Sequence, residues 1–120
     1  FPHPVTVSDI DPVAVEVAEA NIAANDLTGR VNAYVAAGFD HPEIIAAGPF
    51  DLVFANILKA PLIDLAPSMA NNIQTGGRAI LSGLLSRQTA EVIAAYDAAG
   101  FALVREDLNG DWATVLLQRR

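Results

Sequence analysis

A short run of β-branched residues, Val5-Thr6-Val7, leads through Ser8-Asp9-Ile10 into Asp11-Pro12. This junction restricts the fold more than any other stretch of the chain. β-branched side chains favour a buried strand. Asp followed by Pro reads as a helix start: the carboxylate accepts from a free backbone N–H of the first turn, and proline has no N–H to leave unpaired. A helix is therefore expected from Pro12, with Asp11 as its N-cap. In open α/β sheets, the loop between a strand's carboxyl end and the following helix is where ligands bind. Asp9 stands in that loop. Its carboxylate is able to accept both hydroxyls of a ribose; the plainer alternative is a second capping acid or a solvated loop acid.

The pattern continues downstream. Val13, Ala14, Val17, Ala18 and Ile22 recur at helical spacing, with Glu16, Glu19 and Asn21 towards the other side, which predicts an amphipathic helix from Pro12 to about Asn25 lying on a sheet. Asn25-Asp26-Leu27-Thr28-Gly29 ends it, and Val31 to Val35 forms the next strand. Ala36-Ala37-Gly38 opens a loop of small residues. Pro42 to Ala47 allows at most a short helix, closed by Gly48-Pro49. Asp51-Leu52-Val53-Phe54-Ala55 is a near-continuous apolar run, as expected of a strand buried on both faces, with Asn56-Ile57-Leu58 at its carboxyl end. Leu62, Leu65, Ala66, Met69 and Ile73 predict a helix with Pro61 in its first turn, a kink at Pro67, and Gly76-Gly77 as its stop. Ala79-Ile80-Leu81 is a further buried strand ending at Ser82-Gly83. A helix from about Arg87 to Ala99, with Ser86 as a cap, gathers Ala90, Val92, Ile93 and Tyr96 mostly on one side before Gly100 ends it. Phe101 to Leu108 and Trp112 to Gln118, around Asn109-Gly110-Asp111, read as a β-hairpin. The fold class is α/β: a doubly wound, Rossmann-like sheet with right-handed crossovers, mostly parallel, with a C-terminal antiparallel hairpin.

Composition narrows the function classes. With 120 residues the chain suits one domain with a single core and is too short for two. At 52% hydrophobic and 18% charged it is a globular chain and not a disordered one. A formal net charge of −7 argues against direct nucleic-acid binding, since no Lys/Arg cluster is available to displace counterions. It suits a basic protein partner. The absence of cysteine excludes disulfides and thiolate chemistry and fits a reducing compartment. The apolar runs are broken by Pro, Gly or charge well before about 18 residues, and no signal-peptide pattern opens the chain. A soluble, cytoplasmic protein without a membrane partner is therefore expected. His3 and His41 lack metal-ligand spacing, so no metal is expected. Trp112, at a strand start beside a turn, reads as core or edge packing. Phe1-Pro2-His3-Pro4 has no initiator Met and runs at once into a buried strand, so a piece of something longer is expected.

An α/β sheet ending in an antiparallel hairpin, with an acid after one strand and an Asn after another, resembles the class I S-adenosylmethionine-dependent methyltransferases. Within them, the resemblance is to the bacterial methyltransferases of large-subunit ribosomal protein L-eleven. It is carried by Ser8-Asp9-Ile10-Asp11-Pro12, by Asp51-Leu52-Val53-Phe54-Ala55-Asn56-Ile57-Leu58, by Gly76-Gly77, by Leu81-Ser82-Gly83-Leu84-Leu85 with Gln88, and by Gly110-Asp111-Trp112. It spans nearly all of the chain. An acid-x-Asp-Pro turn is common across the superfamily; Asn-Ile-Leu where other families have Asn-Pro-Pro-Tyr, followed in order by Ser-Gly-Leu-Leu and Gly-Asp-Trp, is more specific.

The resemblance implies that residues 1–120 are a partial methyltransferase domain, the C-terminal catalytic-domain fragment of that family. The family's first strand and glycine-rich loop would lie upstream of Val5. That strand would sit between the first and third strands read here, so two inner edges are expected to be open. The implied cofactor is S-adenosylmethionine, with Asp9 on its ribose and Ile10 packed on its adenine. Ala36, Ala37 and Gly38 would lie near the adenine edge, where small side chains let a ring approach the backbone. Asn56 would reach the methionine end and the incoming amine. The implied activity is transfer of methyl groups to lysine or N-terminal amines of a ribosomal protein substrate, by an enzyme expected to be monomeric when intact; the fragment alone is expected to be inactive.

Asn56 also has a case independent of resemblance: an amide offers both a donor and an acceptor, and so can orient a neutral amine. The alternative is a turn residue capping the helix after Leu58. Other readings of the whole chain are a small-molecule or nucleic-acid methyltransferase on the same fold, a nicotinamide-dependent dehydrogenase fragment, and a non-catalytic Rossmann-like binding module. The terminal hairpin favours a methyltransferase over a dehydrogenase.

Overall fold

The computed structural model describes residues 3–120; Phe1 and Pro2, from which an upstream continuation is expected, lie outside the described residues. The chain divides into two compact units, Phe1–Gly48 and Pro49–Arg120.

In the first unit, β1 (Val5–Asp9), α1 (Pro12–Ala24), β2 (Val31–Val35) and α2 (Pro42–Ala47) follow one another. The two strands pair in parallel from Val5 opposite Val31 to Asp9 opposite Val35, so β1-α1-β2 is the expected crossover unit. Asp11 caps α1 as the sequence predicts: its backbone is extended, its Oδ1 accepts from the Val13 N–H at 3.0 Å, and Pro12 takes the first helical position. The helix turns only part of the expected face inward: Ala14, Ala18 and Ile22 are half-buried, but the covered stripe is rotated from the one read in the sequence. Val15 is buried, whereas Val13 and Val17 are 62% and 56% exposed. The helix is apolar on nearly every side, so a period of 3.6 fits more than one stripe and cannot say which stripe meets the sheet. α2 starts at His41, whose Nδ1 accepts from the Glu43 N–H at 3.1 Å while its ring lies 4.7 Å from that of Tyr34.

The second unit contains β3 (Phe50–Asn56), α3 (Lys59–Asp64), α4 (Ala66–Asn72), β4 (Ile73–Leu85), one 3₁₀ turn (Ser86–Gln88), α5 (Thr89–Ala98), β5 (Phe101–Asn109) and β6 (Trp112–Arg119). Its sheet has the order β3-β4-β6-β5. β3 and β4 are parallel, and β6 runs antiparallel to both β4 and β5. The α/β class and the terminal hairpin are as expected, and the last strand inserts between β4 and β5. Among the described residues β1 pairs only with β2 and β3 only with β4, so each keeps one open edge.

Three expectations for the stretch from Asp51 to Gly77 need correction. The single helix kinked at Pro67 is two helices, with Leu65 closing α3 and opening α4. An interior proline costs roughly 3 kcal/mol through its lost hydrogen bond and its clash, and restarting the helix moves Pro67 into a first turn, where neither applies. Ile73 is not the last residue of that helix but the first of β4, opposite Phe50, and Gly76-Gly77 lies inside the strand and not at a helix stop. β3 is not buried on both faces: Phe54 is 71% exposed, because an edge strand lacks the neighbours that would cover it.

The core of the second unit gathers Leu62 and Met69 from α3 and α4, Leu81 from β4, Val92 and Tyr96 from α5, and Val115 from β6, all without measurable exposure. Burying side chains of this size contributes about 1.5–3 kcal/mol each. The one polar group among them is satisfied: the Tyr96 hydroxyl donates to the Leu62 carbonyl at 2.8 Å. Ala90, expected on the same side, points outward. Ser86 does not cap α5. Its N–H donates to the Asp111 carbonyl and its hydroxyl to the Gly110 carbonyl, which ties the hairpin tip to the end of β4. Trp112 starts β6 between Leu85 of β4 and Asn109 of β5 and is 59% exposed, so it packs neither in the core nor on an edge strand.

Candidate functional site

The expected site residues fall into two groups, one in each unit. In the first, Asp9 ends β1 and Val35 ends β2 beside it. The Ala36 N–H donates to the Asp9 carbonyl at 3.0 Å, and the Ser8 hydroxyl donates to the Gly38 carbonyl at 3.1 Å. These bonds bring Asp9, Ile10, Ala36, Ala37 and Gly38 together at the carboxyl ends of two parallel strands, where this class of sheet offers its ligand sites.

The Asp9 carboxylate has a fixed orientation. Its Oδ1 accepts from the Asp11 N–H at 2.9 Å, an Asx turn that lets the chain pass from strand to capped helix. Part of the plainer reading of Asp9 is thus correct, since it does support the turn. Its Oδ2 takes no part in that bond, and the residue is exposed. Beside it opens a cavity of about 200 Å³ lined by Val7, Ser8, Asp9 and residues of α1 and β2, among them Ala14, Ala18 and Ala33. Ile10 is 73% exposed, an apolar surface available to a flat ring. Ala36 is buried, Ala37 is exposed, and Gly38 has φ +61°, so the loop presents backbone and little side chain.

In the second unit Asn56 is the last residue of β3, exposed and opposite Ser82 of β4. It does not cap α3: that cap is Leu58, with no side-chain hydrogen bond. Among the described residues no group hydrogen-bonds the Asn56 amide, which leaves its donors and acceptor available. Next to it lies Gly83, expected from the sequence as the end of a strand and given no place in the site. A Cβ built on Gly83 would overlap Asn56 Oδ1 and lie 3.4 Å from its Cγ. The signal was a glycine within a strand pattern, which often marks a bulge or a close backbone approach. Among the described residues no three His, Asp or Glu side chains cluster as metal ligands would, and no helix is long and apolar enough to cross a membrane.

Comparison with known proteins gives a consistent result. Residues 2–120 match the family model described as Ribosomal protein L11 methyltransferase (PrmA). The chain is 46% identical over 115 residues to the ribosomal protein L11 methyltransferase of Mesorhizobium japonicum and 45% identical over 116 residues to that of Chelativorans sp.. These alignments cover 96% and 97% of the chain and 40% of each relative, so the chain spans about two fifths of their length. Among solved structures, the ribosomal protein L11 methylase of Lactobacillus delbrueckii subsp. bulgaricus superimposes with a TM-score of 0.83 at 26% identity, covering 98% of this chain and 58% of that one. A methyltransferase from Pyrococcus furiosus gives 0.78 at 19% identity over 99% of this chain and 64% of that one, a likeness of fold.

Proposed function

Because the chain belongs to the family of ribosomal protein L11 methyltransferases, we propose that it forms part of an S-adenosylmethionine-dependent methyltransferase domain whose whole protein methylates lysine or N-terminal amines of a ribosomal protein in the cytoplasm. The observation that carries this reading is the family match across residues 2–120. The net charge of −7 suits a basic protein substrate better than a nucleic-acid backbone.

The residues present fit the cofactor. An exposed carboxylate locked by its own turn, with one oxygen outside that bond, is a ready acceptor for ribose hydroxyls. Asp9 would hold the ribose, Ile10 would cover one face of the adenine, and Ala36, Ala37 and Gly38 would let its edge approach the backbone. S-adenosylmethionine supplies a methyl group on a positively charged sulfur. Asn56 positions the amine: its amide oxygen accepts an amine N–H, which turns the nitrogen lone pair away from that bond and towards the line of attack. Lysine titrates near ~10.4 in water, and only its neutral form has a lone pair to attack with, so the surroundings must favour that form by desolvation or by a relay. Holding the reactants in line then supplies much of the rate.

Incubating the full-length protein that contains this chain with ribosomal protein L11 and isotopically labelled S-adenosylmethionine, followed by mass spectrometry of the substrate, tests the proposal. Mass gains in whole methyl steps on lysine or the α-amine are expected. No gain on that substrate, with transfer to a small molecule instead, would move the function to the other methyltransferase reading.

A further inference from the structure

β4 pairs with β6 as far as Leu81 opposite Val115 and resumes at Leu84 opposite Ala113. Two residues of β4, Ser82 and Gly83, therefore face one residue of β6, Thr114. This is a β-bulge, a device that re-aims a strand locally and recurs beside active sites. Gly83 takes φ +77° within it. On the other side of β4 the last parallel pair is Asn56 with Ser82, so the bulge begins where β3 ends. The Asn56 side chain occupies the space that a Cβ of residue 83 would need, with Asn56 Cγ 3.4 Å and the Ile57 carbonyl oxygen 3.8 Å from that position.

We infer that Gly83 is a positioning residue for Asn56: the missing side chain in the β4 bulge seats the Asn56 amide at the end of β3, and any larger residue at 83 would displace it. The inference rests on the proposed role of Asn56 in methyl transfer. Since no hydrogen bond holds the amide among the described residues, its placement depends on this steric seat, and its hydrogen-bonding groups stay available for a substrate amine. Gly76 provides an internal control. It lies on the same strand with φ +82°, yet a Cβ there meets nothing within 4 Å. Alanine at either position carries the same backbone strain, and only at 83 does it meet Asn56.

The experiment uses the full-length protein that carries this chain, with Gly83→Ala, Gly76→Ala, Asn56→Ala and the double variant Asn56→Ala/Gly83→Ala. Melting temperatures test the contact whether or not the protein turns over. Gly83→Ala should lower the melting temperature more when Asn56 is present than in the Asn56→Ala background, where the obstructing oxygen is gone. Equal losses in both backgrounds would overturn the inference. Turnover tests the role. Gly83→Ala should lower kcat by on the order of 10²-fold while the dissociation constant for S-adenosylhomocysteine stays within about twofold, and the double variant should be no slower than Asn56→Ala alone. Gly76→Ala should keep normal turnover. Losses that multiply in the double variant, or an equal fall in kcat for both glycine variants, would show that Gly83 does not act through Asn56. Absence of methyl transfer by the unmodified protein would remove the proposed function, while the melting data would still decide the contact.

Discussion

Replacing Asp9 separates a ligand-binding carboxylate from a turn-forming one, because the structure gives its two oxygens different surroundings. Oδ1 accepts from the Asp11 N–H at 2.9 Å, and Oδ2 lies outside that bond. In Asp9→Asn the amide oxygen can keep the bond to Asp11, so the turn and the cap of α1 survive and stability should change by less than about 0.5 kcal/mol. The negative charge is lost, and an acceptor becomes an amide donor where a ribose hydroxyl would donate. Hydrogen bonds to a charged group contribute about 1.5–3 kcal/mol. At about 1.4 kcal/mol per decade this corresponds to a dissociation constant for S-adenosylhomocysteine raised by about 10-fold to about 150-fold. Asp9→Ala should weaken binding by a similar factor and also lose the turn bond, a further stability cost of about 1 kcal/mol. Titration calorimetry for affinity and urea unfolding for stability, on both variants of the full-length protein, give the two numbers. Unchanged affinity in Asp9→Asn would refute the ribose assignment and leave Asp9 as a turn residue.

Asn56→Ala should lower kcat by about 10²-fold with the melting temperature nearly unchanged, since the amide neither caps α3 nor hydrogen-bonds within the described residues; a destabilised protein with full turnover would reverse that reading. Tyr96→Phe should cost about 1–3 kcal/mol by leaving the Leu62 carbonyl buried without its donor, as measured by urea unfolding. Burial also pushes the Tyr96 phenol well above its ordinary value of 10.0. Above that pH the folded state holds a proton that the unfolded state has lost. The stabilisation should therefore be complete below about pH 10 and decline as pH rises further, and Tyr96→Phe should flatten that decline in unfolding curves taken from about pH 8 to about pH 11.5. Ser86→Ala should cost about 1 kcal/mol through its lost bond to the Gly110 carbonyl, visible as faster hydrogen exchange at the hairpin tip.

What could be read from the sequence follows from how local each determinant is. Asp11-Pro12 fixes a helix start through one side-chain bond and one missing N–H, both within three residues, and α1 begins there. Val31 to Val35 and Pro42 to Ala47 are bounded by turn residues on both sides and have the expected limits. Errors arise where the outcome depends on a distant partner. Which stripe of α1 is covered depends on where the β1-β2 sheet lies, and a helix with valine or alanine at most positions offers several stripes. Whether Gly76-Gly77 stops a helix or continues a strand depends on Phe50, which pairs with Ile73 and draws the start of β4 forward. Whether β3 is covered depends on a neighbour for its open edge, which an apolar run leads one to expect but cannot supply.

The site divides along the same line. Asp9 and Asn56 are legible as candidates because they combine a polar residue type with a position at the carboxyl end of a strand, and both features lie in a few consecutive residues. The geometry that orients them is local for only one of the two. The orientation of Asp9 comes from a turn two residues long and could have been inferred. The seat of Asn56 comes from a bulge in the pairing of β4 with β6, where Ser82 and Gly83 oppose one residue, right where the pairing of β4 with β3 ends. A glycine between Ser82 and Leu84 reads in sequence as the end of a strand; in the structure the strand passes through it. The same residue thus accommodates the extra position of β4 relative to β6 and opens the space that the amide fills. That is why a substitution there should act on turnover through a residue 27 positions away in the chain, Gly83 to Asn56, and not simply on the stability of its own strand.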